Sequence, residues 1–346
     1  MTTTPIHHGA AAASAVPPRR RLLAAAAALA LGGAPFATRA GDAFPSKPIT
    51  MIAAFPPGGP ADVLARAMAP TMGRLLGQPF IVENLPGAGG AIAVQRLLSL
   101  PADGHTLIMG SPNEAILAPL AIASARYKAE NLALLAPVST HPLVVMGRPE
   151  LPYGSLEEIV AAAKKAGRTG LTFGSPGHGT MYHIVAEYLA QATGVQLVHV
   201  PYKGASPLLA DLAGQQIDFT ILPNLGGSIP LIETGKIKAV TVLDTARMKT
   251  LPKVPAVVEG NLPRKAEFVH SVWLGVMARA GIPADRIQLL VEASQKAIQS
   301  PEMVRALAIS GTEPFPPQPL ADSARFYAGE IAKYEKMARS VKLAAQ

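Results

Sequence analysis

The chain has no cysteine, and that absence excludes several kinds of chemistry. Without cysteine there is no disulfide, no thiolate metal ligand and no cysteine nucleophile, and the redox compartment is left undetermined. Charged residues make up only 16% of the 346 residues and aromatic residues 5%, whereas hydrophobic residues make up 49%. So little charge with so much hydrophobic content is typical of a packed globular protein and not of disorder. The length suits two α/β domains.

The chain also lacks an apolar run long enough to span a membrane, which needs about 20 residues. The run Leu22–Leu31 is about half that length, follows three arginines at 19–21 and precedes the small residues of Ala37-Thr-Arg-Ala40. This order of basic, apolar and small residues is that of an export signal. We therefore predict that residues 1–40 are removed on export to the periplasm, by the Sec or the twin-arginine route, and that the mature protein is not membrane-embedded.

A strong net charge is missing once this segment is set aside. The segment carries four arginines and no acid, so its removal lowers the formal net charge from +8 to +4. Spread over some 300 residues, that balance gives no support for a nucleic-acid partner or for binding to a membrane surface.

Strand-like and helix-like segments alternate along almost the whole chain, which indicates an α/β fold with largely parallel sheets. Two segments, Leu132–Thr140 and Leu143–Arg148, are predicted as separate strands with His141-Pro142 between them. The chain is expected to cross between two domains here and again near 265–272. The predicted domains are residues 41–142 with 271–346, and residues 143–270, with a hinge and a ligand cleft between them.

Two glycine-rich loops, each between a strand and a helix, are the main candidates for the site. They are Phe55-Pro-Pro-Gly-Gly-Pro-Ala-Asp62 and Gly174-Ser-Pro-Gly-His-Gly-Thr180. The first turn of a helix leaves main-chain N–H groups unpaired, and the helix dipole adds partial positive charge there, so each loop is suited to a carboxylate. Two such loops in separate halves of the chain predict an acid bound between two domains.

The residues predicted to contact the ligand come from these loops and from the carboxyl ends of two further strands. For the glycines of the first loop, the alternative is a tight turn that contacts no ligand. For its aspartate, the alternative is an acid that only stabilises the first turn of the helix. Tyr202 and Lys203 are candidates for the cleft mouth, with a solvated surface as the alternative. The predicted ligand-binding residues are Phe55, Pro57, Gly58, Gly59, Asp62, Ser111, Asn113, Ser175, Gly177, His178, Gly179, Thr180 and Asn224.

Motifs for catalysis, nucleotide binding and metal binding are absent from the sequence. The segment around Ser175 lacks the first glycine of a nucleophile elbow, there is no Walker loop, and the histidines show no convincing metal-ligand spacing. A serine hydrolase would need Ser175 with His178 or His199 as its base, and the sequence offers no third partner. We expect no catalytic residue, no metal and no cofactor.

With these loops in place, the chain resembles the solute receptors of the tripartite tricarboxylate transporter systems, the Bug family. The resemblance covers nearly the whole mature chain and rests on an ordered series of motifs: Phe44-Pro-Ser-Lys-Pro-Ile49, the first loop, Val82-Glu-Asn-Leu-Pro-Gly-Ala-Gly-Gly90, Pro101-Ala-Asp-Gly-His-Thr-Leu107, the second loop and Val200-Pro-Tyr-Lys-Gly204. It implies a two-domain periplasmic binding protein fold of type II-like topology, with two crossovers and a cleft that closes on a small carboxylate.

The resemblance also implies the function and the partners. The ligand would be a dicarboxylate or tricarboxylate, an amino acid or an aromatic acid, held mainly by main-chain amides and bridging waters and delivered by a monomeric receptor to membrane transporter subunits. A sensory receptor that passes the closed form to a signalling protein is the alternative, and a secreted serine hydrolase is a more distant one. One residue departs from the pattern: Glu114 would be awkward beside an anion, so it points away from the ligand or faces an amino or amide group.

Overall fold

The computed structural model of the protein describes residues 1–2 and 44–341. The predicted export signal, residues 1–40, lies outside the described residues beyond its first two positions. In the described part of the chain there are nine strands: β1 Ile49–Ala53, β2 Phe80–Asn84, β3 Thr106–Gly110, β4 Leu132–Gly147, β5 Leu171–Ser175, β6 Leu197–Pro201, β7 Phe219–Pro223, β8 Lys238–Val242 and β9 Ser271–Arg279.

Helices follow most of the strands, as the alternation predicts. Across residues 44–341 the α-helices are α1 Pro60–Leu76, α2 Ala91–Ser99, α3 Ala118–Ala121, α4 Leu156–Ala166, α5 Met181–Thr193, α6 Ala205–Ala213, α7 Ser228–Glu233, α8 Ala284–Ile298, α9 Pro301–Ile309 and α10 Leu320–Ser340. A π-helical turn, Asn113–Leu117, precedes α3. None of the helices within residues 44–341 is long and apolar enough to cross a membrane.

Local sequence signals explain where the helices begin and end. Proline occupies the first turn of α1, where a missing N–H costs nothing, and Gly77 ends the helix with a φ of +65°. The side chain of Ser155 caps α4 by accepting a hydrogen bond from Glu158 N at 3.2 Å. Such signals fix the loops at the strand ends, which is where the candidate site lies.

The strands lie in the order β2-β1-β3-β9-β4-β7-β5-β6, and β8 pairs with β4. Strands β1, β2 and β3 are parallel to one another, and so are β5, β6 and β7. Between these groups β9 runs antiparallel to β3 and β4, and β4 runs antiparallel to β7 and β8. The sheet is therefore mixed, with parallel strands in each half and antiparallel strands where the halves join.

Strand β4 belongs to both halves, and here the sequence prediction is wrong in one detail. The two strands predicted on either side of His141-Pro142 form one continuous strand. Residues up to Pro142 pair with β9, and residues from Leu143 onward pair with β7 and β8. Proline cannot donate to the ladder, but Leu143 N–H donates to His270 O at 3.0 Å, so the strand continues. The predicted domain limits stay a prediction.

The hydrophobic core packs against the faces of this sheet. The helices α1, α8 and α9 pack together over the first half, around β1 and β3. The larger core cluster includes the fully buried Phe173 and Phe219 in the second half and the only tryptophan, Trp273, which is 2% exposed. The core thereby fixes both sets of strands whose ends carry the two loops.

Candidate ligand-binding site

The first loop joins β1 to α1 and is ordered by a buried carboxylate. Gly58 has a φ of +79°, in the left-handed region that favours glycine, and its N–H donates to Asp62 Oδ2 at 2.9 Å. The other carboxylate oxygen accepts from Arg66 Nε and from Asn84 Nδ2, each at 2.9 Å. The structure therefore places Asp62 as the acceptor that holds the loop, with its charge balanced by Arg66.

The start of α1 presents main-chain donors. Gly59 is the buried residue before the helix, and Pro60 at the first helical position has no N–H. The N–H groups of Ala61 and Asp62 have no acceptor among the residues that the structure describes. Because the helix dipole adds positive potential here, these two groups favour an anion in front of them.

The second loop, between β5 and α5, uses its side chains internally. Ser175 Oγ lies 2.7 Å from His199 Nε2 and donates to Gly177 O at 2.9 Å. Thr180 Oγ1 donates to the same carbonyl at 2.8 Å, and Gly179 N–H donates to His183 Nδ1 at 3.1 Å. Ser175 and Thr180 are buried, so their hydroxyls hold the loop in shape.

A cavity lies between the first loop and the second half of the sheet. The volume open to water-sized spheres inside it is about 30 Å³, so the cavity is narrow in this structure. Of the predicted residues, Phe55, Gly58, Ser111 and Asn113 line it. The other lining residues are Pro60, Ala61, Pro176, Tyr182, Ala205, Leu209, Leu222, Pro223, Leu225, Gly227, Ser228, Val272 and Leu274.

A second cavity, with about 210 Å³ open to water-sized spheres, shares Phe55 and Pro176 with the first. Gly177 and His178 line it, together with Tyr202 and Lys203, the pair considered for the cleft mouth. The remaining predicted residues line neither cavity: Pro57, Gly59, Asp62, Ser175, Gly179, Thr180 and Asn224. Contact of all thirteen residues with a ligand stays a prediction.

The two halves contact each other around the cavity. Gly227 N–H, after β7, donates to Gly58 O at 3.2 Å, and Ser206 Oγ donates to Pro57 O at 2.8 Å. On the opposite side Met181 N–H, at the start of α5, donates to Asn113 Oδ1 at 2.9 Å. Three hydrogen bonds therefore link loops that belong to different halves of the sheet.

Several cavity residues were not identified from the sequence. Val272 and Leu274 alternate on β9, so the period of two along a strand puts them on one face, and this signal was available. Ser228 lies four residues after Asn224, and its hydroxyl oxygen lies 3.3 Å from Leu225 O and 3.5 Å from Asn224 Oδ1, either of which can accept its one proton. Tyr182 follows Met181 at the start of α5, where only the tertiary fold reveals that it faces the cavity.

Glu114 points away from the cavity, the first of the two possibilities considered for it. The side chain is 1% exposed and is not among the lining residues. Its carboxylate accepts from Ser111 N at 2.5 Å and from Ser111 Oγ at 2.7 Å. Burial raises the pKa of Glu114 to about 7, and the hydrogen bonds from Ser111 oppose that increase.

Three histidines meet behind the second loop, which the sequence spacing did not reveal. One nitrogen from each of His178, His183 and His199 lies within 4.8 Å of the others. The rings of His183 and His199 are nearly parallel, at 12° with centroids 3.9 Å apart, so their lone pairs point side by side and do not converge. A metal with N–metal bonds of about 2.0–2.1 Å needs converging lone pairs. The three rings therefore pack against one another, and the imidazole rings would have to rotate before they could bind a metal.

The profile of the tripartite tricarboxylate transporter family receptors matches residues 64–343. The chain belongs to this family. The protein BugT of Bordetella pertussis is 35% identical over 302 residues, which is 86% of this chain and 90% of BugT. The recognition of the family from its motifs is confirmed.

Two solved structures show that this receptor has the periplasmic binding protein fold. Rpa4515 of R. palustris with adipate is 29% identical, with a TM-score of 0.80 over 88% of this chain and 100% of that one. The periplasmic binding protein BugD is 26% identical, with a TM-score of 0.79 over 88% and 100%. The predicted α/β fold of a periplasmic binding protein is confirmed.

The family and these similar structures are solute-binding proteins, and the protein is not an enzyme. The short contact between Ser175 and His199 is accordingly structural. Burial, helped by the neighbouring His183, lowers the pKa of His199 to about 3, which makes it a poor base at neutral pH. Ser175 is also fully buried in this structure, and its hydroxyl is held by His199 and the Gly177 carbonyl.

Proposed function

We propose that the protein is a periplasmic receptor that binds a small organic carboxylate between its two halves and delivers it to a transporter of the tripartite tricarboxylate type. The observation that carries the proposal is the meeting of the two halves over one cavity, where the Gly227 N–H reaches the Gly58 carbonyl. The N–H groups of Ala61 and Asp62 at the start of α1 have no acceptor within the described residues, and Ala61 is part of the cavity wall.

The charge around the cavity supports an anionic ligand held by neutral donors. No charged side chain is among the residues that line the first cavity within the described chain, and Lys203 lines the adjoining one. Glu114 is turned to Ser111 and Asp62 is balanced by Arg66, so neither acid opposes an anion directly. Rpa4515, which shares the fold, was solved with adipate.

Closure would complete the site. A ligand carboxylate held by the first loop attracts donors of the opposite half, and the hydrogen bonds between the loops then stabilise the closed form. That form is what the transporter subunits would recognise. No cofactor and no covalent step is needed. The proposal also includes export of a monomer, cut near residue 40.

Thermal denaturation with a panel of carboxylates tests the binding proposal. We expect at least one acid, from a panel that includes malate, adipate, glutamate and benzoate, to raise the melting temperature, and the corresponding neutral amides to have no effect. Calorimetry then gives the affinity. If every acid leaves the melting temperature unchanged, or if acids and amides act alike, carboxylate recognition is refuted.

A further inference from the structure

Glu114 lies directly behind the wall of the cavity, at the π-helical turn that follows β3. Within the described chain two acids bond to residues of that wall through their side chains: Asp62, which accepts from Gly58 N, and Glu114, which accepts from Ser111. Its partner Ser111 lies beside Asn113, and Asn113 makes the hydrogen bond to Met181 that links the two halves. The four residues therefore form one chain of hydrogen bonds from the buried carboxyl to the opposite half.

The direction of every hydrogen bond in this chain is determined. Met181 N–H can only donate, so Asn113 must present its amide oxygen to it, at 2.9 Å. The amide Nδ2 of Asn113 then faces Ser111 Oγ, at 3.2 Å, and Asn113 N–H donates to the same oxygen at 3.3 Å. Both lone pairs of the serine oxygen are thus used, so its proton must go to Glu114 Oε2.

We propose that Glu114 is a positioning residue: by accepting the Ser111 proton it keeps the Asn113 amide oxygen turned toward Met181 N–H, and a proton on Glu114 releases this latch between the two halves. A protonated Glu114 donates to Ser111 Oγ. The serine oxygen would then face three donors with two lone pairs, and its own proton would need a new acceptor. Rotation of the Asn113 amide relieves the conflict by offering its oxygen to Ser111, which turns Nδ2 against the Met181 N–H.

The latch should respond to pH near neutrality. Burial raises the pKa of Glu114 to about 7, so the carboxyl changes its charge near neutral pH. The titratable groups that face it are the phenols of Tyr127, Tyr182 and Tyr327, whose pKa values burial raises above the ordinary value of 10. These phenols stay neutral, and no cation contributes to the pKa of Glu114. Among these groups, the Glu114 carboxyl is therefore the one that changes its charge near neutral pH.

The Met181 amide resonance reports on the latch in the ligand-free protein. With ¹⁵N-methionine labelling, the signal is assigned by its loss in Met181→Leu. We expect the wild-type amide proton to shift with a midpoint near pH 7, as the hydrogen bond to Asn113 weakens toward low pH. In Glu114→Gln, which donates to Ser111 as the protonated acid does, the signal should stay at the low-pH position at every pH. Glu83→Gln, at an exposed glutamate, should titrate like the wild type.

Two results would overturn the proposal. One is a wild-type signal that does not titrate around neutrality. The other is a titration that survives Glu114→Gln, or Ser111→Ala if the first variant does not fold, because it would then belong to a group other than Glu114. The latch needs no ligand, so this result is independent of the proposed function. Only the effect on affinity rests on the proposed function. Loss of the net stabilisation of one hydrogen bond, the one between Asn113 and Met181, predicts about two- to twelvefold weaker ligand binding by Glu114→Gln.

Discussion

Replacement of Gly226 by alanine should weaken ligand binding by preventing the two halves from meeting. Gly226 has a φ of +68°, and a Cβ atom there would lie 2.5 Å from the Gly58 carbonyl oxygen. The new methyl group must therefore push the two loops apart, and the hydrogen bond from Gly227 N–H to Gly58 O, now 3.2 Å, is lost. Overpacking of this kind costs about 1 to 3 kcal/mol, or about five- to 150-fold in affinity.

Gly235 supplies a matched control in the same half of the protein. Its φ of +69° gives alanine the same backbone penalty, about 1 to 2 kcal/mol, but no atom lies within 4 Å of a Cβ built there. The two variants should therefore denature at similar temperatures without ligand, because opening of the cleft relieves the clash in Gly226→Ala. Calorimetry with an acid that stabilises the wild type then isolates the effect of closure.

The affinity ratio between the two variants decides the matter. If Gly226→Ala binds the acid as tightly as Gly235→Ala does, closure at this contact is not needed for binding and the reasoning is refuted. Small-angle scattering of the ligand-free proteins is a second readout. We expect Gly226→Ala to have a larger radius of gyration than Gly235→Ala. Equal radii would argue that the new methyl group does not hold the two halves apart.

Three further predictions concern stability and the loops. Because burial raises the pKa of Glu114 from 4.5 to about 7, its contribution to stability is fully present below about pH 4.5 and is lost as the pH rises through 7. Measured by urea denaturation, the free energy of unfolding of Glu114→Gln should therefore rise by about 3 kcal/mol relative to that of the wild type over this pH range. Parallel pH profiles of the two proteins would contradict this prediction. Gly179→Ala should lower the free energy of unfolding by about 1 to 3 kcal/mol more than Gly194→Ala does. A Cβ atom at Gly179 would lie 2.1 Å from Ala121 Cβ, whereas one at Gly194 would contact nothing within 4 Å. Equal losses of stability in the two variants would show that the loop adapts to the methyl group. Asp62→Ala leaves three donors without their acceptor and should weaken acid binding by about 1 to 3 kcal/mol. Asp62→Asn keeps one acceptor and should weaken binding less. Calorimetry measures both affinities, and weaker binding by Asp62→Asn than by Asp62→Ala would contradict this prediction.

The alternation of strands and helices made most of the fold predictable from the sequence. Hydrophobic runs, glycines and capping residues are local signals, and they located the strands and the two loops. The error at His141-Pro142 has a physical reason. Proline predicts a break because it lacks an N–H, but the strand changes its partners at that point and Leu143 resumes the ladder with His270.

The site was less predictable because its contacts join distant segments. Nothing near Gly58 in the sequence indicates that Gly227 will donate to its carbonyl, since 169 residues separate the two positions. The stack of His183 on His199 likewise joins a helix to the following strand, so no ligand spacing along the chain could reveal it. The role of Glu114 depended on the direction of its side chain, which composition and spacing do not fix.

The continuity of β4 limits how the chain can vary in length. Side chains alternate between the two faces of a strand, so the parity of each position decides which layer it enters. Insertion of one residue between Pro142 and Leu143 would reverse that parity for every residue up to Gly147, which are all buried. Two inserted residues would restore the parity but shift the register against β7 and β8. Natural length changes should therefore collect in the surface loops, and engineered fusions should avoid this segment.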